Sequence, residues 1–331
     1  MPNKIDFLYR SLQLATYGIG KVSPVQMHGW VLINSHARIV SEGWAPEKPV
    51  DLLLAHSFEG DEYTLYISSF SKSVADLFSL QKIPNIQSLY CCSRISEANK
   101  NIVPDAVACY EQQLAEQENS INRRYNCISN RLRPYIILKW AQTSDGFVAR
   151  KNFDSKWISN SLSRKWVHKW RTEEDAILVA TNTAHYDNPQ LNVRSWTGKN
   201  PIRIVIDKHL RLSLTLKLFD NSQPTFCYNT KIDKQDGLIT WIKLPERNKA
   251  DFFSELLADL GQRQIQSVII EGGSQLLHFL VEQELWDEAR VFVAPTYFGD
   301  GIAAPHIKRS FLSHQQQIGS DSLYYYFNTK S

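Results

Sequence analysis

From Arg133 onward, short continuous apolar runs alternate with helix-patterned stretches, and that alternation leaves few architectures open. The runs PYIILKWAQ, AILVAT, IRIVID, TFCYNT and SVIIEGG are apolar at nearly every position, the mark of strands buried on both faces rather than one. Between and after them come SLSRKWVHKWRTEE and SQLLHFLVEQ, whose apolar residues recur at helical spacing. Strands of this kind alternating with helices predict a largely parallel sheet covered by helices. The closing runs EARVFVAP and SLYYYFNT have no helix of comparable length between them, so part of the sheet is expected to be antiparallel.

The segment before Arg131 is of a different character. Ile5 to Thr16 reads as an amphipathic helix, and HGWVLINSHARIVSEGW as two strands around an Asn-Ser turn. Asp51 to His56 is a helical candidate, TLYISSF a strand, SVADLFSLQ a helix and SLYCCS a strand. Glu111 to Asn130 has helical composition with few large apolar residues, as suits a connecting helix. At about 150 residues per domain, 331 residues suggest two domains, placed at 1–130 and 131–331. Apolar residues make up 43% and charged ones 21% of the chain, enough to build ordinary cores. The net charge of +3 is spread among interspersed acids and bases, which gives no reason to expect a nucleic-acid partner. No apolar stretch approaches the roughly 18 residues needed to span a bilayer, so a cytoplasmic protein with no membrane partner is expected. Five cysteines without a CxxC pair argue against a zinc ribbon or a disulfide framework, and reduced packed thiols are expected.

The sharpest local signal is SVIIEGGSQLLHFL, a strand that runs into Glu271, Gly272 and Gly273 and then into a helix with Ser274 as its expected cap. Glycines let the backbone turn tightly beside a ligand, and the helix start offers amides and a positive dipole end to an anion. Taken alone, such a turn is more often plain structure than a phosphate site.

A second cluster runs from Leu138 to Arg194. It holds Ser144-Asp145-Gly146 after a strand, then Trp157-Ile158-Ser159 before a helix. Thr183, Asp187-Asn188-Pro189, Leu191 and Arg194 follow another strand. With Glu271-Gly272-Gly273 and the later APTYFGDGIAAP, this series resembles the reductase domain of the bifunctional riboflavin biosynthesis deaminase-reductase family, in order, over nearly 200 residues. The resemblance implies an α/β chain whose second domain has a dihydrofolate-reductase-like, mostly parallel mixed sheet. It implies a first domain with a cytidine-deaminase-like αβα fold.

It also implies NADPH as cofactor, held by Ala141, Trp157, Thr183, Asp187 and the segment from Gly273 through Ser274, Gln275 and Leu276 to Phe279. Ser155, Arg171, Leu191, Arg194 and Glu271 would face a phosphorylated pyrimidine substrate. Two guanidinium groups suit its ribose 5-phosphate, since each can grip phosphate oxygens bidentately. The implied reaction is reduction of the ribosylamino sugar to a ribityl chain, for which Glu271 and Lys139 are the candidates to move a proton. Asp145, in a turn dipeptide, reads as structural. A homodimer is expected from the family.

The N-terminal half departs from that family. Its deaminase domains carry His-Ala-Glu and then Pro-Cys with a second Cys, because zinc needs three protein ligands and the Glu shuttles protons. Aligned by strands, the first motif falls on Pro49, Val50, Asp51 and Leu52 and the second on Ile67 to Ser73. Neither stretch offers such a ligand set, and no metal is expected. Cys91 and Cys92, adjacent on a strand, are expected to face opposite ways, and His56 reads as structural. The sequence therefore predicts reductase activity without deamination. Its rivals are an NADPH-dependent reductase of a pterin on the same scaffold, and a non-catalytic ligand-binding protein.

Overall fold

The computed structural model describes residues 3–44, 62–79, 85–111, 113–152, 154–155, 158–245 and 247–328. Backbone packing divides the chain into two units, with the division after Asn126. In the first unit, helix α1 (Lys4–Ala15) is followed by strands β1 (Gly29–Asn34), β2 (Ile39–Trp44) and β3 (Tyr63–Ile67), helix α2 (Lys72–Ser79) and strand β4 (Ile86–Cys91). A short turn of helix α3 (Glu97–Lys100), strand β5 (Ala108–Tyr110) and helices α4 (Ala115–Ile121) and α5 (Arg123–Arg131) complete it, α5 running across the division. The sheet has the order β2-β1-β3-β4-β5, antiparallel at the β2 end and parallel from β3 to β5. Phe7, Leu8 and Leu12 of α1 cover one face, and Val74, Ala75 and Phe78 of α2 the other.

The expected connecting helix is two helices, because Asn122 leaves the helical path and turns its side chain to the backbone of Met27, accepting from its N–H and donating to its carbonyl at 2.8 Å each. The helical candidate at Asp51 to His56 lies outside the described residues.

The second unit is organised by a sheet of ten strands among the described residues. Strands β6 (Tyr135–Gln142), β8 (Ala176–Ala180), β9 (Ile202–Ile206), β10 (Thr225–Asn229), β12 (Ile239–Lys243), β13 (Ser267–Glu271) and β14 (Glu288–Val293) form its parallel body in the order β12-β10-β9-β8-β13-β6-β14. Strand β11 (Lys234–Asp236) adds antiparallel at one edge, and β17 (Asp321–Phe327) and β16 (Leu312–Ile318) at the other, where the missing helix foretold antiparallel pairing. A separate ribbon pairs β7 (Phe147–Ala149) with β15 (Ile302–Ala303).

Strand β6 shows why its run is apolar throughout. Ile136, Leu138 and Trp140 pack under helices α8 (Lys249–Gln262) and α9 (Ser274–Glu282), while Tyr135 and Ile137 pack under α6 (Ser161–Glu173) and α7 (Thr181–Asp187). Helix α6 starts where the Asn160 side chain accepts the Ser163 N–H at 2.9 Å, and it buries Val167, His168, Trp170 and Arg171 along one stripe. Helix α8 is absent from the elements expected from sequence. Its signal is nonetheless present: Asn248 caps it through the Asp251 N–H at 3.0 Å, and Phe252, Phe253, Leu256, Leu257 and Leu260 recur on one buried face.

The start of β6 is fixed by one buried carboxylate. Asp287 accepts from both Arg133 nitrogens at 2.6 and 2.9 Å, from Arg131 at 3.2 Å and from the Ile136 N–H at 2.7 Å. Its own N–H donates to the Ile136 carbonyl at 3.0 Å, so a single residue joins the start of β14 to that of β6. Asp287→Ala strands two arginines and an amide, and urea denaturation is expected to show a loss of about 3 kcal/mol. An unchanged midpoint would contradict this role.

Candidate active site

The carboxyl ends of β6, β8, β9 and β13 open into a cleft of about 1010 Å³. This is the edge at which ligands bind in open α/β sheets, because the strands there hand over to helices whose starts face outward. Strands β6 and β13 pair in register with Lys139 opposite Glu271, which sets the two side chains next to each other on the α6 face. From α6, Arg171 reaches Glu271 with Nε to Oε1 at 3.1 Å and Nη2 to Oε2 at 2.8 Å. The third guanidinium nitrogen donates to the Asn192 carbonyl at 3.0 Å. All three Arg171 nitrogens are thus engaged within the protein.

The electrostatics of this trio follow from burial and charge. Burial opposes ionisation of Glu271, yet the Arg171 and Lys139 charges beside it outweigh that cost and hold its carboxyl at about 2. Glu271 is therefore a carboxylate at neutral pH. Lys139 is pushed below the usual ammonium range by burial and by Arg171, and Glu271 opposes that shift. His168 lies on the same α6 stripe, and its Nδ1 accepts the backbone N–H of Arg194 at 3.4 Å. Burial first, and then the charges of Arg171 and Arg194, lower His168 to about 4, so it is neutral at physiological pH. Arg194 is exposed, and its Nη1 contacts the Asn192 side chain at 3.3 Å.

The Asp-Asn-Pro turn has a local reason. Asn188 closes α7 in the left-handed region at φ 40°, a conformation Asn tolerates, and Pro189 follows, where a helix cannot continue. The Asn188 side chain accepts the Lys217 N–H at 2.8 Å, and Leu191 is buried, so the turn places Asp187 on the cleft wall.

At the end of β13, Gly272 and Gly273 both have positive φ, 78° and 77°. A Cβ on Gly272 would lie 3.0 Å from Thr183 Cγ2, and one on Gly273 3.4 Å from the Ala180 Cβ and the Thr183 hydroxyl. The double glycine lets β13 turn against the first turn of α7. Gly273 itself is the N-cap of α9, no side chain caps that helix, and its first residues, Ser274, Gln275 and Leu276, line the cleft. Ser274, expected as the cap, is the first helical residue instead, and its hydroxyl donates to the Ala303 carbonyl at 3.3 Å.

The cleft lining includes Lys139, Ala141, Ser155, Arg171, Thr183, Asp187, Leu191 and Arg194, and also Glu271, Gly273, Ser274, Gln275 and Leu276. Trp157 lies outside the described residues. Asp145 is not among the lining residues and acts as a clamp. Its carboxylate accepts from the Phe298 N–H at 3.2 Å and the Gly299 N–H at 2.7 Å, tying the turn after β6 to the loop after β14. Sequence reasoning missed His168, Lys208 and Lys249 as lining residues. For His168 the signal was its place one helical turn before Thr172 and three residues before Arg171, on a face already known to carry Arg171.

In the first unit, Ser68 accepts the Gly29 N–H at 2.9 Å, and Phe70 is buried and stacked with Phe78 at 6.3 Å between ring centroids. Cys91 and Cys92 do face opposite cores, and burial pushes both thiols up to about 12. Among the described residues no group of three or more His, Cys, Asp or Glu is arranged to hold a metal ion. Residues 49–52 and His56 lie outside the described residues. No described helix is long and apolar enough to cross a membrane.

Comparison with known proteins places this geometry. The family model described as the RibD C-terminal domain matches residues 134–318. The riboflavin biosynthesis protein RibD of Aquifex aeolicus is 33% identical over 195 residues, covering 57% of this chain and 54% of that protein, so the chain spans about half the length of this relative. The RibD protein of Actinobacillus pleuropneumoniae is 27% identical over 330 residues, covering 89% of this chain and 84% of that protein. A crystal structure is also similar in fold: the diaminohydroxyphosphoribosylaminopyrimidine deaminase/5-amino-6-(5-phosphoribosylamino)uracil reductase of Thermotoga maritima superposes with a TM-score of 0.81 at 23% identity, covering 97% of each chain. The two-domain α/β fold expected from sequence, deaminase-like and then reductase-like, is the fold observed.

The lowered His168 carries a stability consequence. The unfolded chain takes up a proton near the ordinary value of 6.5, whereas the folded protein refuses it until about pH 4, so stability is lost as pH falls through that window. His168→Gln is expected to lose less stability than the parent between pH 7 and pH 5 in urea denaturation. An identical loss in both proteins would contradict it.

Proposed function

Because the chain belongs to the RibD C-terminal domain family, we propose that its second unit reduces 5-amino-6-(5-phosphoribosylamino)uracil to the ribitylamino compound with NADPH. The observation that carries the reading is the uncapped start of α9 behind two left-handed glycines, set beside a buried Lys139-Glu271-Arg171 trio in one cleft. A dinucleotide fits this cradle. Its pyrophosphate suits the free amides after Gly273, whose positive φ an L side chain rarely adopts, and Ala141, Thr183 and Asp187 border the remaining length. When bound, NADPH supplies the hydride.

The protein's own groups do the rest. Arg171 fixes Glu271 as a carboxylate and keeps its oxygens in place, which makes Glu271 an orienting acceptor for substrate N–H or hydroxyl groups rather than a proton donor. Lys139 holds the mobile proton, since its lowered basicity eases release. Reduction places a hydride on C1 of the opened sugar imine and a proton on the adjacent nitrogen, and Lys139 delivers that proton. With Arg171 engaged internally, the substrate phosphate falls to Arg194, which His168 positions through its backbone. Ser155 and Leu191 border the same region.

We further propose that the first unit performs no deamination. The stretch 67–73 offers hydroxyls, and Phe70 is packed in the core.

NADPH consumption with the deaminated pyrimidine is the test. Arg194→Ala is expected to raise the substrate KM roughly tenfold with cofactor affinity unchanged, and Lys139→Met to abolish turnover while both ligands still bind. An unchanged KM would remove Arg194 from the phosphate site. Preference for dihydrofolate would overturn the substrate, and stoichiometric zinc with release of ammonia from the aminated pyrimidine would overturn the account of the first unit.

A further inference from the structure

The β7–β15 ribbon stands apart from the ten-stranded sheet, yet Val148 and Ala149 of one strand and Ile302 of the other line the cleft. Its strands follow β6 and β14, which are themselves paired, so the ribbon begins beside the strand that carries Lys139 and Ala141. It also meets the start of α9. The Ser274 hydroxyl donates to the Ala303 carbonyl at 3.3 Å, and Val148 packs against the apolar cluster that contains Trp140 and Leu276. The ribbon therefore joins the strand bearing the proposed proton donor to the helix start assigned to the pyrophosphate.

With three residues in one strand and two in the other, pairing alone holds this ribbon weakly, and its place depends on its roots. The approach of the strands is close, since a Cβ on Gly301 would lie 2.4 Å from the Ala149 carbonyl oxygen. At the β6 root, buried Thr143 donates its N–H to the Phe147 carbonyl at 2.9 Å, and its hydroxyl accepts the Phe147 N–H at 3.0 Å. The Ser144 N–H donates to the Thr296 carbonyl at 2.9 Å, and the Gly146 carbonyl accepts the Ala304 N–H at 2.8 Å. Between these two backbone bonds sits Asp145, whose carboxylate accepts the amides of Phe298 and Gly299, 153 and 154 positions away. Bonds to a carboxylate are the stronger, charge-assisted kind, and here they bridge the two roots. Beyond Ala149 and Ile302, the Lys151–Asp300 pair at 2.7 Å joins two exposed side chains and contributes little to the ribbon's place.

We infer that Asp145 is a positioning residue for the proposed hydride transfer: its carboxylate clamps the turn after β6 to the loop after β14 and so holds the apolar ribbon wall against which the reacting groups are aligned. The inference rests on the reductase reading of the cleft. It gives Asp145, which touches neither ligand site, a part in the rate of transfer rather than in binding, because a small displacement of aligned reactants costs far more in rate than in affinity.

Asp145→Asn keeps the size of the side chain but turns an amide donor toward the Phe298 and Gly299 N–H groups. Hydrogen exchange of the protein without nucleotide reads the clamp itself: amides of 143–149 and 298–304 are expected to exchange about tenfold or more faster in the variant, with β6, β8 and β13 unchanged, which also establishes that it folds. Single-turnover oxidation of NADPH with the deaminated pyrimidine is expected to slow about tenfold or more, while the Kd of each ligand stays within about threefold. The isotope effect from C4-deuterated NADPH should be at least as large as in the parent, since transfer is the slowed step. Lys151→Gln is expected to leave exchange and rate within about twofold of the parent. Unchanged ribbon exchange, a loosened ribbon with an unchanged rate, a rate loss matched by weaker ligand binding, or equal slowing by Lys151→Gln would each overturn the inference while the parent's own turnover keeps the reductase reading intact. A parent that does not oxidise NADPH with the pyrimidine would bring down that reading, and this inference with it.

Discussion

The pairing of Glu271 with Arg171, against Lys139 on the adjoining strand, is the interaction on which the functional half depends. The register of β6 with β13 sets Lys139 beside Glu271, and the apolar faces of those strands make the surroundings poor in water. A carboxylate and an ammonium in such a place are costly unless each answers the other. Arg171 completes the compensation with two hydrogen bonds, and the third nitrogen fixes the loop at Asn192 that leads to Arg194. Charge compensation and the placing of Arg194 are thus one construction, with His168 as the neutral spacer between two guanidinium groups.

The sheet supplies the rest of the site by its ends. Strands β8 and β13 are neighbours, and each turns directly into a helix, so the starts of α7 and α9 converge on one edge. Gly272 and Gly273 suit that convergence because both take positive φ, and at Gly272 a Cβ would also press within 3.0 Å of Thr183. Loops from β9 and the start of α8 extend the edge with fixed cations.

Much of this was legible in the sequence. Strands buried on both faces write themselves as unbroken apolar runs, which is why β6, β8, β9, β10 and β13 are plain. Helix α8 is not among the elements expected from sequence, although Asn248 and its paired phenylalanines and leucines carry a helical stripe, and β16 has the exposed, polar pattern of an edge strand that periodicity does not reveal. Among site residues, those in motifs were readable. The internal engagement of Arg171 was not, because nothing in spacing says that a residue 100 positions later will take its hydrogen bonds. The cap of α9 also escaped: a Ser after Gly-Gly suggests a side-chain cap, whereas the left-handed Gly273 takes that place.

The central claim is that hydride passes to a sugar carbon within this cleft, with the protein setting charge and orientation around it. Deuterium at C4 of the reduced nicotinamide, both positions labelled, followed by mass spectrometry and NMR of the pyrimidine product, tests it most directly. The account predicts one deuterium, on C1 of the ribityl chain. Product without label, or label at any other carbon, would contradict it.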